Sequence, residues 1–318
     1  MRSRIVVPMH TTPVAAALSS VVVGPPIMFQ TISMYPLLAR DPEMRRVPGY
    51  RILDDAMALG LVEVTEVSEQ GSVPNLRVVN RSPERILIVD GQELVGAKQN
   101  RVVNLTILVN AHSELTIPVS CVEAGRWRSR SRTFSSAPRT QYSSGRAKRM
   151  AQVTASMKTE GLHRSDQSEV WADISEMSAR LKSSSPTGAM ASIYSDHAKF
   201  IDECAASMPA VENQVGAIFT IGSRVVGADL FDVPETMSKL LPKLVRAVAV
   251  DALDENGAEQ STGANSIEMF LAAVAAASVH QAPAVGGGVD LRLTSHGVTG
   301  AALVDEGSIV HLSAFVTS

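Results

Sequence analysis

The chain has few aromatic residues: 4% of 318 residues, against 45% apolar overall. A core of ordinary size must therefore be built from Val, Ile, Leu, Ala and Met, and thirteen Met supply adaptable filler rather than rigid aromatic packing. Cysteine is equally sparse. Cys121 and Cys204 show none of the paired spacing of a zinc site, and both are expected to be reduced, buried thiols. No apolar run reaches the roughly 20 residues needed to span a bilayer. The opening stretch, with Arg2, Arg4 and then Val14–Val23, only faintly imitates a signal sequence and is interrupted by Pro8, His10 and Pro13. A cytoplasmic protein without membrane contact is expected. The net charge of −3 excludes a wholesale nucleic-acid binder. The seven His are scattered, and His197 and His311 fall where satisfied core histidines are expected.

What is present is a change of pattern along the chain. Residues 1–125 form a strand-rich part, with strands over Ile27–Tyr35, Leu61–Val67, Leu76–Asn80 and Ile86–Val89 and a short helix over Tyr50–Leu59. Residues 126–160 are expected to be a basic loop. Between 124 and 159 there is no acidic residue, but nine basic ones occur, among five Ser at 131, 135, 136, 143 and 144. The rest of the chain is correspondingly acidic. Residues 161–318 bring helices and β-hairpins, packed with the first part as one compact unit. Asp166 and Glu169 open a helix along Val170, Ile174, Met177 and Leu181, and a second carries Met190, Ile193, His197, Ile201 and Cys204. A hairpin turns at Gly222-Ser223, and Pro234 starts a helix to Leu253 that Pro242 should kink or split. A polar linker over Asp254–Asn265, an apolar helix over Ile267–Val279 and three strands after Gly286–Gly288 complete it. The fold class is α+β: a strand-rich N-terminal part, a helical middle, β-hairpins and a C-terminal strand group, without the regular alternation of a doubly wound sheet.

The functional signal is concentrated between Asp90 and Trp127. An apolar strand delivers Asp90 to a turn at Gly91, and Gly91 and Gly96 bracket Glu93. A strand expected from Lys98 to Val109 places Lys98, Asn100, Asn104 and Thr106 on one face, with Gln99, Arg101, Val103, Leu105 and Ile107 on the other. Long polar side chains at a strand head are unfavourable unless hydrogen-bonded. They are either a solvated edge or a pocket whose donors suit a phosphate or carboxylate. The apolar row Leu115, Ile117, Val119, Cys121 ends on Glu123, a carboxylate that demands a cationic partner, a metal or a raised pKa; Arg126 and Trp127 follow. Gln167 and Trp171 share a helical face and make either a packed pair or a nucleobase platform. Asp229 and Asp232 precede a helix, where capping is the default. A divalent cation shared by Asp90, Glu93, Glu123 and Asp229 is a further option.

Three of these runs carry a resemblance: Gly71–Arg81 (GSVPNLRVVNR), Asp90–Arg101 (DGQELVGAKQNR) and Ile117–Trp127 (IPVSCVEAGRW). Further segments continue it: Asp166-Gln167 with Val170-Trp171, Ser185–Gly188, Val225–Glu235 and His311–Phe315. The chain resembles the prokaryotic domain family named for its association with ADP-ribosylglycohydrolases and rhodanese–phosphatase-superfamily proteins. The resemblance implies a role around ADP-ribose or NAD-linked processing and brings no assigned catalytic residues. Gln92 departs from it, standing where an acidic residue beside Glu93 is expected.

The resulting expectation is a protein that binds or processes a phosphorylated, nucleotide-like small molecule. Glu93, Glu123 and Asp90 would be the acid/base or metal-binding groups, and Lys98, Gln99, Asn100, Arg101, Arg126, Trp127, Gln167 and Trp171 the ligand-binding ones. Two alternatives stand beside it: a non-enzymatic interaction or assembly module with a structural polar network, whose basic loop docks a protein partner and which could form oligomers, and weak nucleic-acid binding through the basic loop.

Overall fold

The computed structural model describes residues 12–41, 47–254 and 264–317. The expected 254–265 linker and the first eleven residues fall largely outside them. Within them the chain is an α+β assembly of three sheets and eight helices.

A nine-stranded antiparallel sheet is the largest element. Its path runs Val21–Val23, Ile32–Ala39, Gln214–Ile221, Arg224–Phe231, Ser308–Val316, Val298–Asp305, Val289–Ser295 and Ser278–Pro283, and Ile27–Phe29 also pairs with Ile32–Ala39. A six-stranded sheet joins Phe134–Thr140, Gln92–Gly96, Arg101–Val103, Ser113–Cys121, Asn75–Asn80 and Val62–Glu66. A small sheet holds Ile107–Val109, Arg85–Ile88 and, parallel to the latter, Tyr50–Ile52. Helix Pro234–Asp254 is buried on most of its surface and packs on Gln214–Ile221 and Phe134–Thr140. It is one continuous helix. Pro242 lies inside it without splitting it, correcting that option, and apolar contacts along Leu240–Ala252 hold both halves.

Several expected elements are redrawn. Tyr50–Leu59 divides into strand Tyr50–Ile52 and helix Leu53–Ala58. The helix with Met190 to Cys204 breaks at His197, which is bonded instead to the Leu181 carbonyl, Nε2···O 3.1 Å. The final helix is Ala264–Ala275, and Ser278–Pro283 is a strand of the large sheet.

The basic segment carries the main correction. It is a loop only in part: Phe134–Thr140 is a strand and Ser143–Glu160 an 18-residue helix. Its cations are spent on carboxylates from the acidic remainder of the chain. Arg126, Arg146 and Arg149 are buried, and Arg139 pairs with Glu93. Like charges that would have repelled one another in a loop are thus neutralised one by one in the interior.

The strand expected over Lys98–Val109 is also interrupted. Arg101–Val103 belongs to the six-stranded sheet and Ile107–Val109 to the small one. The chain crosses between sheets at 104–106, and this crossing separates two polar clusters.

Candidate functional site

The first cluster lies where residues 122–127 pass between the 97–100 turn and the Ser185–Gly188 loop. Backbone bonds fix that path: Val122 N–H donates to Asn100 O (3.0 Å) and Gly125 N–H to Thr187 O (2.8 Å). Glu123 is thereby buried, and its carboxylate accepts from Arg126 Nη2 (2.6 Å), Asn100 N–H (3.2 Å) and Thr187 Oγ1 (2.9 Å). Burial alone would raise this carboxyl, but Arg126 and Thr187 outweigh it and hold it below its ordinary value. The expected cationic partner of Glu123 is therefore Arg126. That guanidinium also donates to the carbonyls of Ala97, Arg128 and Gly96 and to Asn100 Oδ1.

Glu93 is joined to the same cluster through Asn100, whose Nδ2 donates to Oε1 at 3.1 Å, while Arg139 Nε donates to Oε2 at 2.5 Å. Burial dominates here and pushes the Glu93 carboxyl up despite Arg139. Gln99 donates to the Glu123 carbonyl (2.9 Å) and accepts from Arg101 (3.2 Å). Gln167 closes the edge of the Ser113–Cys121 strand, its amide exchanging two 2.8 Å bonds with the Cys121 main chain. Trp171, one turn further along that helix, faces the Cys121 thiol, whose pKa is raised by burial.

At the outer rim the balance changes. Trp127 is 49% exposed, and over its ring lie Lys98 Nζ at 5.3 Å and Arg101 Cζ at 5.9 Å from the centroid. Lys98 Nζ donates to Gln70 O (2.7 Å). Arg101 is completely buried, yet its Nε and Nη2 have no hydrogen-bond partner among the described residues; the carboxylate it faces, Glu66, is 4.0 Å away. Burial pushes this guanidinium below its ordinary pKa. The loop bearing Trp127 passes directly over Gly96, where a Cβ would lie 2.7 Å from both Ser131 Oγ and Thr133 O.

Asp90 belongs to the second cluster. Along strand Ser308–Val316, His311, Ser313 and Phe315 alternate onto one face, and Ser313 pairs with Asp229 on one side and Ala301 on the other. Helix Ser143–Glu160 lies on this face. Its Arg146 is clamped between two buried carboxylates, with Nε and Nη2 donating to Asp90 (3.2 and 3.0 Å) and Nη1 and Nη2 to Asp229 (3.0 and 2.7 Å). Burial would raise both carboxyls, but Arg146 and His311 hold them below the usual carboxylate range. Gly91 makes the approach feasible: it has φ +79°, and a Cβ there would sit 3.0 Å from the Arg146 side chain. Arg149 donates to Val103 O (2.8 Å) and stands 3.6 Å from Asp90. Asp229 is thus an ion-pair partner inside the sheet and does not cap the following helix. Asp232 bonds the Tyr50 hydroxyl.

A cation shared by Asp90, Glu93, Glu123 and Asp229 has no common locus, because the four carboxylates divide between the clusters. Asp90, Asp229 and His311 do bring ligand-type atoms within 4.8 Å of one another, but Arg146 already binds both carboxylates. The larger cavities lie elsewhere. One of about 260 Å³ is chiefly apolar and lies beside helix Pro13–Ser19, and one of about 240 Å³ lies between helices Ser143–Glu160 and Gln167–Arg180.

Of the residues singled out in the sequence, Glu93, Lys98, Gln99, Asn100, Arg101, Glu123, Arg126, Trp127 and Gln167 are brought together, while Asp90 is not. Arg139, Arg146, Thr187 and Ser313 were missed as members of these clusters. The run of cations without acids in an otherwise acidic chain was the signal that could have found the arginines.

These motifs are the ones matched by a family model. The ARG and Rhodanese-Phosphatase-superfamily-associated Protein domain, ARPP-1, covers residues 20–315. The chain belongs to this family. No curated protein and no solved structure matches it. The ARPP-1 match spans both polar clusters and all three sheets. Among the described residues no helix is long and apolar enough to cross a membrane.

Proposed function

We propose that this ARPP-1 domain binds a phosphorylated, nucleotide-like small molecule at the rim formed by Lys98, Arg101 and Trp127. An ADP-ribose or NAD-linked compound is the ligand class. One observation carries the reading: a fully buried guanidinium, Arg101, holds two donor nitrogens without partners beneath an exposed indole. A buried charge lacking its partner is costly, and a phosphate offers the fork of acceptors that a guanidinium fits. Displacement of Trp127 would expose Arg101 to the phosphate and leave the indole to stack on a base or sugar. Glu93, with its raised carboxyl, is the group for acid/base chemistry if the bound molecule is processed. The family's named association with ADP-ribosylglycohydrolase proteins gives the same direction.

A second reading has its own support. Glu123 and Arg126 are saturated by protein partners, as they would be in a purely structural network of a non-enzymatic interaction module. Melting of wild type and Arg101→Met with phosphate, NAD and ADP-ribose separates the two. Ligand binding predicts a wild-type shift with ADP-ribose that Arg101→Met abolishes while keeping its stability within about 1 kcal/mol. No shift with any of the three, together with collapse of Arg101→Met, would leave the structural module.

A further inference from the structure

In the second cluster one contact is unlike an ordinary buried ion pair. His311 Nε2 lies 3.0 Å from Asp229 Oδ1, and His311 Nδ1 lies 2.7 Å from the hydroxyl of Thr106. Asp229 is held ionised by Arg146 and can only accept a hydrogen bond. In the neutral imidazole the proton therefore sits on Nε2, so Nδ1 is the acceptor and Thr106 donates to it. A hydroxyl is thus held by a base whose tautomer is fixed by a carboxylate, the arrangement of an activated oxygen nucleophile. The ring cannot turn freely, because Phe231 stacks on it at 4.4 Å with planes 11° apart. Asp229, His311 and Asp90 are buried, whereas Thr106, at the crossing between two sheets, is partly exposed. The nucleophile is the member that meets solvent.

We propose that Thr106 is a catalytic nucleophile, with His311 as its general base and Asp229 as the residue that positions the imidazole, acting on a small carboxylic ester. In the first step Thr106 Oγ1 forms a bond to the ester carbonyl carbon, its proton passes to His311 Nδ1, and the bond to the alcohol oxygen breaks. The alcohol leaves with the proton from His311. Water then attacks the acyl-threonine ester, again through Nδ1, and releases the carboxylic acid and free Thr106. A void of about 10 Å³ beside Thr106, bordered by Asp90, Met150, Arg292 and Leu303, has room for about one water molecule. This activity involves none of the rim residues Lys98, Arg101 and Trp127, so it stands or falls separately from nucleotide binding.

The test is acylation by 4-nitrophenyl acetate, followed by nitrophenolate release and by mass mapping of acetylated residues. Wild type and Thr106→Ser are expected to acquire acetyl at position 106 about a hundredfold faster than at the exposed hydroxyls of Thr159 and Ser168, as base-assisted attack should. Thr106→Val, which keeps the shape, is expected to lose both the release burst and the adduct. Acetylation at Thr106 no faster than at Thr159 and Ser168 overturns the proposal, as does an undiminished burst in folded Thr106→Val. Should Thr106→Val not fold, the wild-type comparison among the three hydroxyls decides alone.

Discussion

The two polar clusters are built from the same materials, carboxylates and arginines taken out of water, but they close differently. Around Arg146 the guanidinium meets two carboxylates with four hydrogen bonds, and every partner is buried. Around Glu123 the inner pair is equally closed, but the cluster continues outward to Arg101, whose donors are left over, and to Trp127, which faces solvent. Closure gives rigidity and joins helix to sheet. Incomplete closure at a surface leaves interaction capacity for something other than the protein. Burial and charge alone do not mark a binding site, since both clusters have them.

The largest effect should come from breaking the closed cluster. Arg146→Met leaves Asp90 and Asp229 facing each other without a cation and should cost about 3–5 kcal/mol, read as a large loss of urea midpoint. A cost under about 1 kcal/mol would show that the closed cluster is not what fixes the helix. That helix is also anchored at its start, where Asp251 accepts from the N–H groups of Ser143 and Ser144. Burial pushes the Asp251 carboxyl from 3.8 up to about 6. A carboxyl raised in the folded state binds its proton more tightly there than when unfolded. Its contribution is therefore full below about pH 4 and is lost as pH rises through about 6. The stability of wild type relative to Asp251→Asn should accordingly fall by something on the order of 2 kcal/mol between those pH values, and a flat difference would refute the shift.

In the open cluster the effects on stability should be smaller. Glu123→Gln keeps the shape and most of the bonds to Asn100, Arg126 and Thr187 but removes the charge, and should cost about 1–3 kcal/mol. Lys98→Met removes an exposed donor, so stability should hold within about 1 kcal/mol while the thermal shift with ADP-ribose disappears. Retention of that shift would remove Lys98 from the rim site. Brief trypsin treatment sharpens the contrast without any mutation. Arg128, Arg130 and Arg132 lie on the exposed loop, and cleavage there should precede cleavage at Arg146 or Arg149, which sit in a buried helix face. Early cleavage at Arg146 would contradict the closed cluster.

Much of the local structure was legible. The hairpin at Gly222-Ser223, the capped helix after Asp166 and the strands Val62–Glu66 and Asn75–Asn80 follow from turn chemistry, capping and periodicity, all carried by neighbours in sequence. The association of Lys98–Arg101 with Glu123 and Arg126 was also legible, because consecutive polar residues at strand ends require partners. The helix Ser143–Glu160 was not. Its Ser-rich, Arg-rich start lacks an apolar stripe, and its buried face is made of arginines whose neutralising carboxylates, Asp90 and Asp229, lie 56 and 83 residues away.

The sequence by itself determined the α+β class, the family and the stretch where polar residues gather, because periodicity, turns and motifs are properties of contiguous residues. Only the tertiary structure decided that this stretch feeds two clusters instead of one. The crossing between sheets at 104–106 sends Asp90 toward Arg146, Asp229 and His311, and leaves Glu93 and Glu123 on the other side. Pairing of buried charges depends on distances across the fold, and no spacing along the chain encodes those.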